Sequence, residues 1–533
     1  MMMALQACAA FVLITLPWLN PFTIGPSPAM VPLWFSWICI ALCMLVWAGT
    51  GHRRPADAMV RAIVMAWLMA ATLSAVIGLL QYFKATDAWW PWINTTGGHA
   101  AFGNLRQRNL FASLLNMGLA ALLWWASHWP VTALRSSVGV LLGGYGRIVL
   151  ASTAAILIGA ANAASASRTG LFQWLMVTAL VLYWRRTHLA DAARSVWALR
   201  LLGLVALSYV AATVAVPWLA DQLLPPGGAG GAASALARLQ AGDPVCASRL
   251  TLWGNVLHLI ALKPWTGWGW GNLDYAHFMT LYSGERFCDI LDNAHNLPLH
   301  LAVELGIPVA VTVCSAVVWL VWRAKPWHEA DPTRQLAWAV LSVIALHSLL
   351  EYPLWYGPFQ MAAGLSIWLL VYAKNSANGV NGVNGVNGVN GIQADPPKRF
   401  LGPYGQAALG IVLLAVCFFA WGEYWRASQI YLPPEQRMTI YREDTLQRTS
   451  DVWLFRDHVR FAELTLSGLR PDNAARINLL AKDLLHFSPE PRVAELLVAS
   501  ALMLNDPQEA QFYAARFKAA FAQAYANWLN KSQ

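Results

Sequence analysis

A chain of 533 residues that is 57% hydrophobic and only 12% charged is too apolar for a water-soluble protein of its size. Its mean hydropathy of +0.45, with apolar runs recurring to about residue 421, requires an all-α polytopic membrane protein, because lipid leaves backbone polar groups no partner but their own helix. The formal charge of +9 is spread over short loops, so it carries topology and excludes a nucleic-acid footprint.

In chain order, about eleven apolar segments are long enough to cross a bilayer, near residues 7–24, 30–48, 59–83, 108–128, 147–166, 169–184, 198–218, 296–322, 336–350, 354–373 and 403–421. The first has no basic flank and no obvious cleavage site, so it is expected to be retained as a span. Tryptophans gather near segment ends, as at Trp89, Trp90, Trp124 and Trp125, where an amphipathic ring suits the interface. Alternate loops differ in basic content. One set includes Arg53, Arg54, Arg135, Arg185, Arg186, Arg323 and Lys325; the sparser set includes Lys84, Arg106, Arg168, Arg249 and Arg286. The positive-inside rule then places the N-terminus in the cytoplasm and the loop 219–295 outside. An odd number of spans puts the C-terminal tail outside as well.

Four regions follow from composition. Residues 1–373 form a transmembrane domain that includes the outer loop 219–295, which opens on the breaker Pro225 to Gly231. Residues 374–400 contain an Asn-Gly-Val triplet repeat at 378–391, expected to be a flexible linker because it has no apolar face. Residues 401–425 hold the last span. Residues 426–533 turn soluble, with amphipathic helices expected at 437–449, 452–466, 473–487, 491–504 and 507–528, punctuated by Pro471, Pro489 and Pro507 in the manner of stacked tetratricopeptide hairpins. Such a module more often binds a protein than catalyses.

The stretch from Asp289 to Gly306 carries the chemistry of greatest interest. It begins polar and becomes an apolar helix, with Asn296 as N-cap and Pro298 in the first turn, where its missing N–H costs nothing. His295 then sits at the water–lipid boundary beside a helix N-terminus. A histidine there can hold or release a proton near neutrality, and the helix end favours an anion. Its bland reading is a polar residue that helps cap the helix. On the same side Arg168 lies in a very short turn, Arg249 begins an amphipathic stretch, and Arg106, Gln107 and Arg108 precede the fourth span. Arginines at one depth can clamp a diphosphate with their planar forks, or simply snorkel to lipid phosphates. His347 and Glu351, spaced i, i+4 with Tyr352 beside them, read either as a structural hydrogen bond or as a pair that orients a reactive group. Cys246 and Cys288 both fall in the outer loop and would form a disulfide in an oxidising compartment, or stay as two thiols. The outer loops show no Asp-x-Asp pair for a divalent metal, and the chain has no P-loop, dinucleotide glycine motif or Gly-x-Ser-x-Gly elbow. Energy for an outward reaction must then arrive in the substrate, as in a lipid-linked diphosphate sugar.

His295 and Asn296, followed after nine residues by Gly306, resemble the His-Asn/Ser-x9-Gly signature of O-antigen ligases and related Wzy-type enzymes; the position three further on, small or tyrosine in that family, is Val309. Together with Ser-Arg168-Thr-Gly, Ser-Arg249-Leu, the glycine–tryptophan run from Pro264 to Gly271, the Gly103 to Asn109 segment and Glu351-Tyr-Pro-Leu-Trp355, the chain is most similar to PglL/PilO-type O-linked oligosaccharyltransferases of Gram-negative bacteria. The resemblance implies a GT-C-like helical fold in the inner membrane, with residues 1–373 catalytic. It also implies transfer of a glycan from undecaprenyl diphosphate to Ser or Thr of a periplasmic protein, often type IV pilin, without cofactor or metal. By position it makes His295 the catalytic residue and Arg168 and Arg249 the diphosphate ligands. Asn296, Arg106, Gln107, Arg108, Glu351 and Tyr352 support them. Rival readings are an O-antigen ligase acting on lipid A-core, a Wzy-type polymerase and, outside enzymes, a flippase of lipid-linked sugars.

Overall fold

The computed structural model describes residues 2–23, 25–48, 56–95, 100–128, 145–187, 192–223, 245–384 and 402–532, which include helices but no strand. The breaker at Pro225 to Gly231 lies outside the described residues. The apolar segments fold as α1 (Met2–Leu19), α2 (Met30–Ala48), α3 (Ala56–Tyr82), α4 (Arg108–Ser127), α5 (Tyr145–Ala164), α6 (Arg168–Thr187) and α7 (Ala192–Leu223). Further along the chain come α11 (Ile307–Ala324), α12 (Pro332–Ser348), α13 (Gly357–Asn384) and α14 (Pro403–Ser428). Of these, α2, α3, α4, α5, α7, α11 and α14 are long and apolar enough to cross a membrane, and the chain is a multi-pass membrane protein. α4 is the centre of the bundle: its residues from Leu110 to Trp124 are buried against α3, α5, α6, α7 and α12.

Two expected boundaries shift. α13 continues through Asn384, so the first repeat triplets extend a helix already nucleated in the bundle, since propagation needs one hydrogen bond per residue. The rest of the linker, 385–401, lies outside the described residues. The expected span 296–322 is two helices, α10 (Leu297–Leu305) and α11, broken at Gly306. Gly306 has φ +88°, and a Cβ there would lie 2.3 Å from the Trp265 carbonyl oxygen. The glycine–tryptophan run fills the break. Trp268 N–H donates to Val303 O (2.9 Å), Gly269 N–H to Glu304 O (2.9 Å), and Ile307 N–H to Pro264 O (2.8 Å). The orphan carbonyls of one helix and an orphan amide of the next are thereby satisfied by one turn.

The segment between α7 and α10 also holds α8 (Arg249–Leu262) and α9 (Leu273–Met279). The C-terminal tail comprises α15 (Thr445–Arg448), α16 (Arg456–Leu466), α17 (Ala474–Leu484), α18 (Pro491–Met503), α19 (Pro507–Ala520) and α20 (Ala522–Ser532). The helix expected at 437–449 is a single turn preceded by 3-10 turns, because Asp444 takes a left-handed φ of +49°. The helix expected at 507–528 breaks at Phe521, whose ring packs on Phe278 of α9. α9 is seated on the tail: Phe278 is buried with Leu480, Leu484 and Phe517, Tyr275 stacks on His486 at 3.7 Å, and Arg516 donates to Met279 O at 3.0 Å. Loop and tail are therefore on one side of the membrane.

Candidate active site

Four separate stretches of chain meet at the carboxylate of Glu351. Glu351 lies in the turn after α12, its backbone N–H bonded to His347 O at 2.8 Å and its side chain 6% exposed. One carboxylate oxygen receives His295 Nδ1 at 2.7 Å and, more loosely, Gln107 Nε2 at 3.4 Å. The other receives Arg249 Nη2 and Asn109 Nδ2, the latter at 3.1 Å. An ionised carboxylate can only accept, so Nδ1 of His295 carries the proton and Nε2 is the basic nitrogen. Burial pushes the Glu351 carboxyl up, but the hydrogen bond from His295 and the charge of the Arg249 guanidinium outweigh it. The group is held below the ordinary carboxylate value, so it stays charged.

Each partner is positioned by local sequence. His295 has φ +49°, a left-handed conformation that few residues other than glycine adopt; its N–H is tied to Asn293 Oδ1 at 2.9 Å. Asn296 caps α10 by accepting from Leu299 N–H at 3.0 Å, and its amide donates to Leu349 O at 3.0 Å, close to Glu351 in the chain. Arg249 is the first residue of α8, whose N-cap Ser248 accepts from Thr251 N–H. A disulfide and several hydrogen bonds bind α8 and the turn before it to the strip that leads to His295. Cys246 and Cys288 are joined in a disulfide, with Cα atoms 5.3 Å apart. Asn255 bonds Glu285 O (2.9 Å) and Phe287 N–H (2.8 Å), and Trp253 Nε1 donates to Ala294 O (3.1 Å).

On the membrane side, Gln107 is the N-cap residue of α4, Arg108 opens the helix, and Asn109 follows. Gln107 Oε1 is buried without a hydrogen-bond partner among the described residues. Asn109 Oδ1 accepts from Ser167 Oγ at 2.6 Å, and Ser167 in turn accepts from Gly170 N–H at 2.9 Å, capping α6. Arg168, half-buried, is the first residue of that helix. Asn109 thus couples Glu351 to the turn that presents Arg168. Tyr352 sets its ring edge-on to His295 at 5.1 Å.

Two expectations from spacing change. The i, i+4 histidine is not the partner of Glu351: His347 Nδ1 bonds Ser113 Oγ at 2.8 Å inside the bundle, and the carboxylate goes to His295. Arg106 is committed elsewhere, donating to Pro21 O at 2.6 Å, to Asn94 Oδ1 at 3.1 Å and to Thr23. Its φ of +61° turns the chain at the end of a loop that the buried Gln81 holds through Gly103 N–H (2.8 Å) and Gly103 O (2.9 Å). Asn109 and Ser167 were not singled out by sequence. A signal existed: Asn109, Ser113 and Asn116 recur at helical spacing in an apolar helix, and such polar stripes mark interior contacts. Ser113 and Asn116 do bond Gln173 of α6, and Asn116 bonds Asn162 of α5. Among the described residues no group of three or more His, Cys, Asp or Glu side chains is placed to hold a metal ion.

Comparison with known proteins gives three family matches in chain order: "Protein glycosylation ligase" over residues 101–126, "O-Antigen ligase" over 153–314, and "Virulence factor membrane-bound polymerase, C-terminal" over 335–533. A general O-oligosaccharyltransferase of Acinetobacter baylyi is 27% identical over 316 residues, covering 56% of this chain and 48% of that protein. The chain thus spans about half the length of this curated relative. Gln107 and Asn109 fall in the first match, Arg168, Arg249, His295 and Gly306 in the second, and Glu351 with Tyr352 in the third, so the residues gathered at the carboxylate draw on all three. In these stretches the chain is similar to the O-antigen ligases and to the protein glycosylation ligases.

Proposed function

We propose that this protein transfers an oligosaccharide from undecaprenyl diphosphate to Ser or Thr hydroxyls of a periplasmic protein such as type IV pilin. The observation that carries the reading is the His295–Glu351–Arg249 constellation, which couples a general base to a guanidinium through one buried carboxylate. The similarity to a general O-oligosaccharyltransferase supports a protein as acceptor. The protein lies in the bacterial inner membrane, with its N-terminus cytoplasmic and its C-terminal helical domain periplasmic beside the outer loop.

In this reading Glu351 accepts from Nδ1–H of His295 and leaves Nε2 to take the proton of the incoming hydroxyl. The hydroxyl oxygen attacks the anomeric carbon, whose bond to phosphate oxygen breaks, and undecaprenyl diphosphate leaves with the electron pair. Arg249 uses Nη2 on Glu351 and offers its other N–H groups, with those of Arg168, to the departing diphosphate. The buried Gln107 Oε1 accepts from a substrate hydroxyl. The chemistry proceeds without a metal, because the leaving group is already an activated diphosphate.

The test uses purified full-length protein, undecaprenyl-diphosphate-linked glycan and an acceptor protein, with mass spectrometry of the acceptor. Wild type attaches the glycan; His295→Ala, at normal membrane levels, does not. Glycosylation retained in His295→Ala removes His295 from the mechanism, and no covalent product from wild type favours a flippase. A second reading, polymerisation or ligation of glycan on a lipid carrier, draws on the polymerase match over 335–533. Glycan appearing only on lipid in the same assay selects it.

A further inference from the structure

An aromatic tread leads away from His295. Tyr352 lies edge-on to His295 at 5.1 Å and to Trp355 at 6.4 Å. Trp355 stacks on Trp270 with centroids 6.1 Å apart and planes 15° from parallel. Trp270 belongs to the glycine–tryptophan turn and is 60% exposed. Its position is nonetheless defined. Gly269 and Gly271 flank it with φ +102° and +74°, conformations that set the direction of the turn. Beneath the two indoles His300 presents its edge to both, at 6.0 Å to Trp270 and 5.1 Å to Trp355. His300 is itself held by Glu304 at 3.3 Å, and the two are 3% and 1% exposed.

We propose that Trp270 and Trp355 form a platform on which the sugar rings of the donor glycan stack. This rests on the transfer reading, which puts the first sugar between His295 and the diphosphate-binding arginines. Sugars beyond it must run outward into water from that point, and the tread starts there. A pyranose presents a face of C–H bonds with hydroxyls around its rim. It therefore suits an indole whose ring is apolar and whose surroundings are wet. An isoprenoid tail instead seeks hydrocarbon, away from a loop that packs on a soluble domain. Trp265, in the same turn and 77% exposed, joins no ring stack among the described residues and serves as the control.

The experiment uses full-length protein in lipid nanodiscs and two probes, undecaprenyl diphosphate carrying an oligosaccharide and glycan-free undecaprenyl diphosphate. Binding of both is measured directly, beside turnover. Trp270→Ala should weaken binding of the glycosylated probe about five- to tenfold, the size of one aromatic stacking contact, and raise KM for the donor with kcat little changed. Binding of the glycan-free probe should be unchanged, Trp270→Tyr should keep most of the affinity, and Trp265→Ala should match wild type. Equal weakening of both probes assigns the ring to the lipid or to folding and overturns the platform, as does unchanged binding of the glycosylated probe. Failure of wild type to turn over while these binding differences persist would sink the transfer reading and spare the platform.

Discussion

Replacing Glu351 by Gln preserves side-chain volume and removes the charge on which the site converges. The two carboxylate oxygens receive different donors: His295 and Gln107 on one, Arg249 and Asn109 on the other. An amide has only one accepting oxygen. If its NH2 faces His295, the imidazole keeps a bond only by moving its proton to Nε2, which abolishes the base. If the NH2 faces Arg249 and Asn109, three donors converge and the guanidinium is displaced. General-base help is worth roughly 10²–10⁴-fold, so kcat should fall by about that factor, ~3–5 kcal/mol of barrier. Stability should drop less, on the order of 1–3 kcal/mol, because Arg249 is 32% exposed and water screens what the lost charge leaves behind. The assay is the initial rate of glycan attachment at saturating donor, with thermal unfolding alongside. A Glu351→Gln protein whose kcat stays within about threefold of wild type would refute the assignment of Glu351 as the group that orients His295.

Gly306→Ala should unfold the turn between α10 and α11, at a cost of roughly 3 kcal/mol or more, because the new Cβ meets the Trp265 backbone and φ +88° excludes an L side chain; protease cleavage in the Trp265–Gly271 run is the readout. Two groups in α9 have opposed pH effects. Burial lowers His277 from 6.5 to about 3, so its contribution is full above 6.5 and declines as pH falls below it. Burial raises Asp274 from 3.8 to about 7, so its contribution declines as pH rises across that range. Wild-type loop stability should therefore be nearly flat from about pH 4 to 6.5, Asp274→Asn should make it acid-sensitive by up to ~1.4 kcal/mol per unit, and His277→Gln should reverse the slope. Melting temperature against pH for the three proteins checks this, and parallel curves would contradict it. Breaking the Cys246–Cys288 bond, by Cys246→Ser or reductant, releases a 42-residue separation worth about 4 kcal/mol and frees the segments bearing Arg249 and His295; transfer should fall in wild type on reduction, and Cys246→Ser should be low throughout and insensitive to it.

The one-dimensional pattern of this chain was sufficient for its architecture. Hydrocarbon tolerates only helices whose backbone is internally bonded, so apolar length alone located the segments that became α1 to α7 and α11 to α14. Cap chemistry is equally local, and it marked Asn296 as the start of α10. Tertiary contacts decided the rest. The choice of His295 over His347 as partner of Glu351 joins residues 56 apart, and Arg249 and Asn109 reach the same carboxylate from 102 and 242 residues away. No periodicity encodes such pairings. They arise because a buried carboxylate is unstable without donors, and only the folded bundle determines which donors are close enough to satisfy it. The break at Gly306 is of the same kind: hydropathy runs unbroken through it, and the helix parts there because another stretch of backbone comes close enough to take its hydrogen bonds.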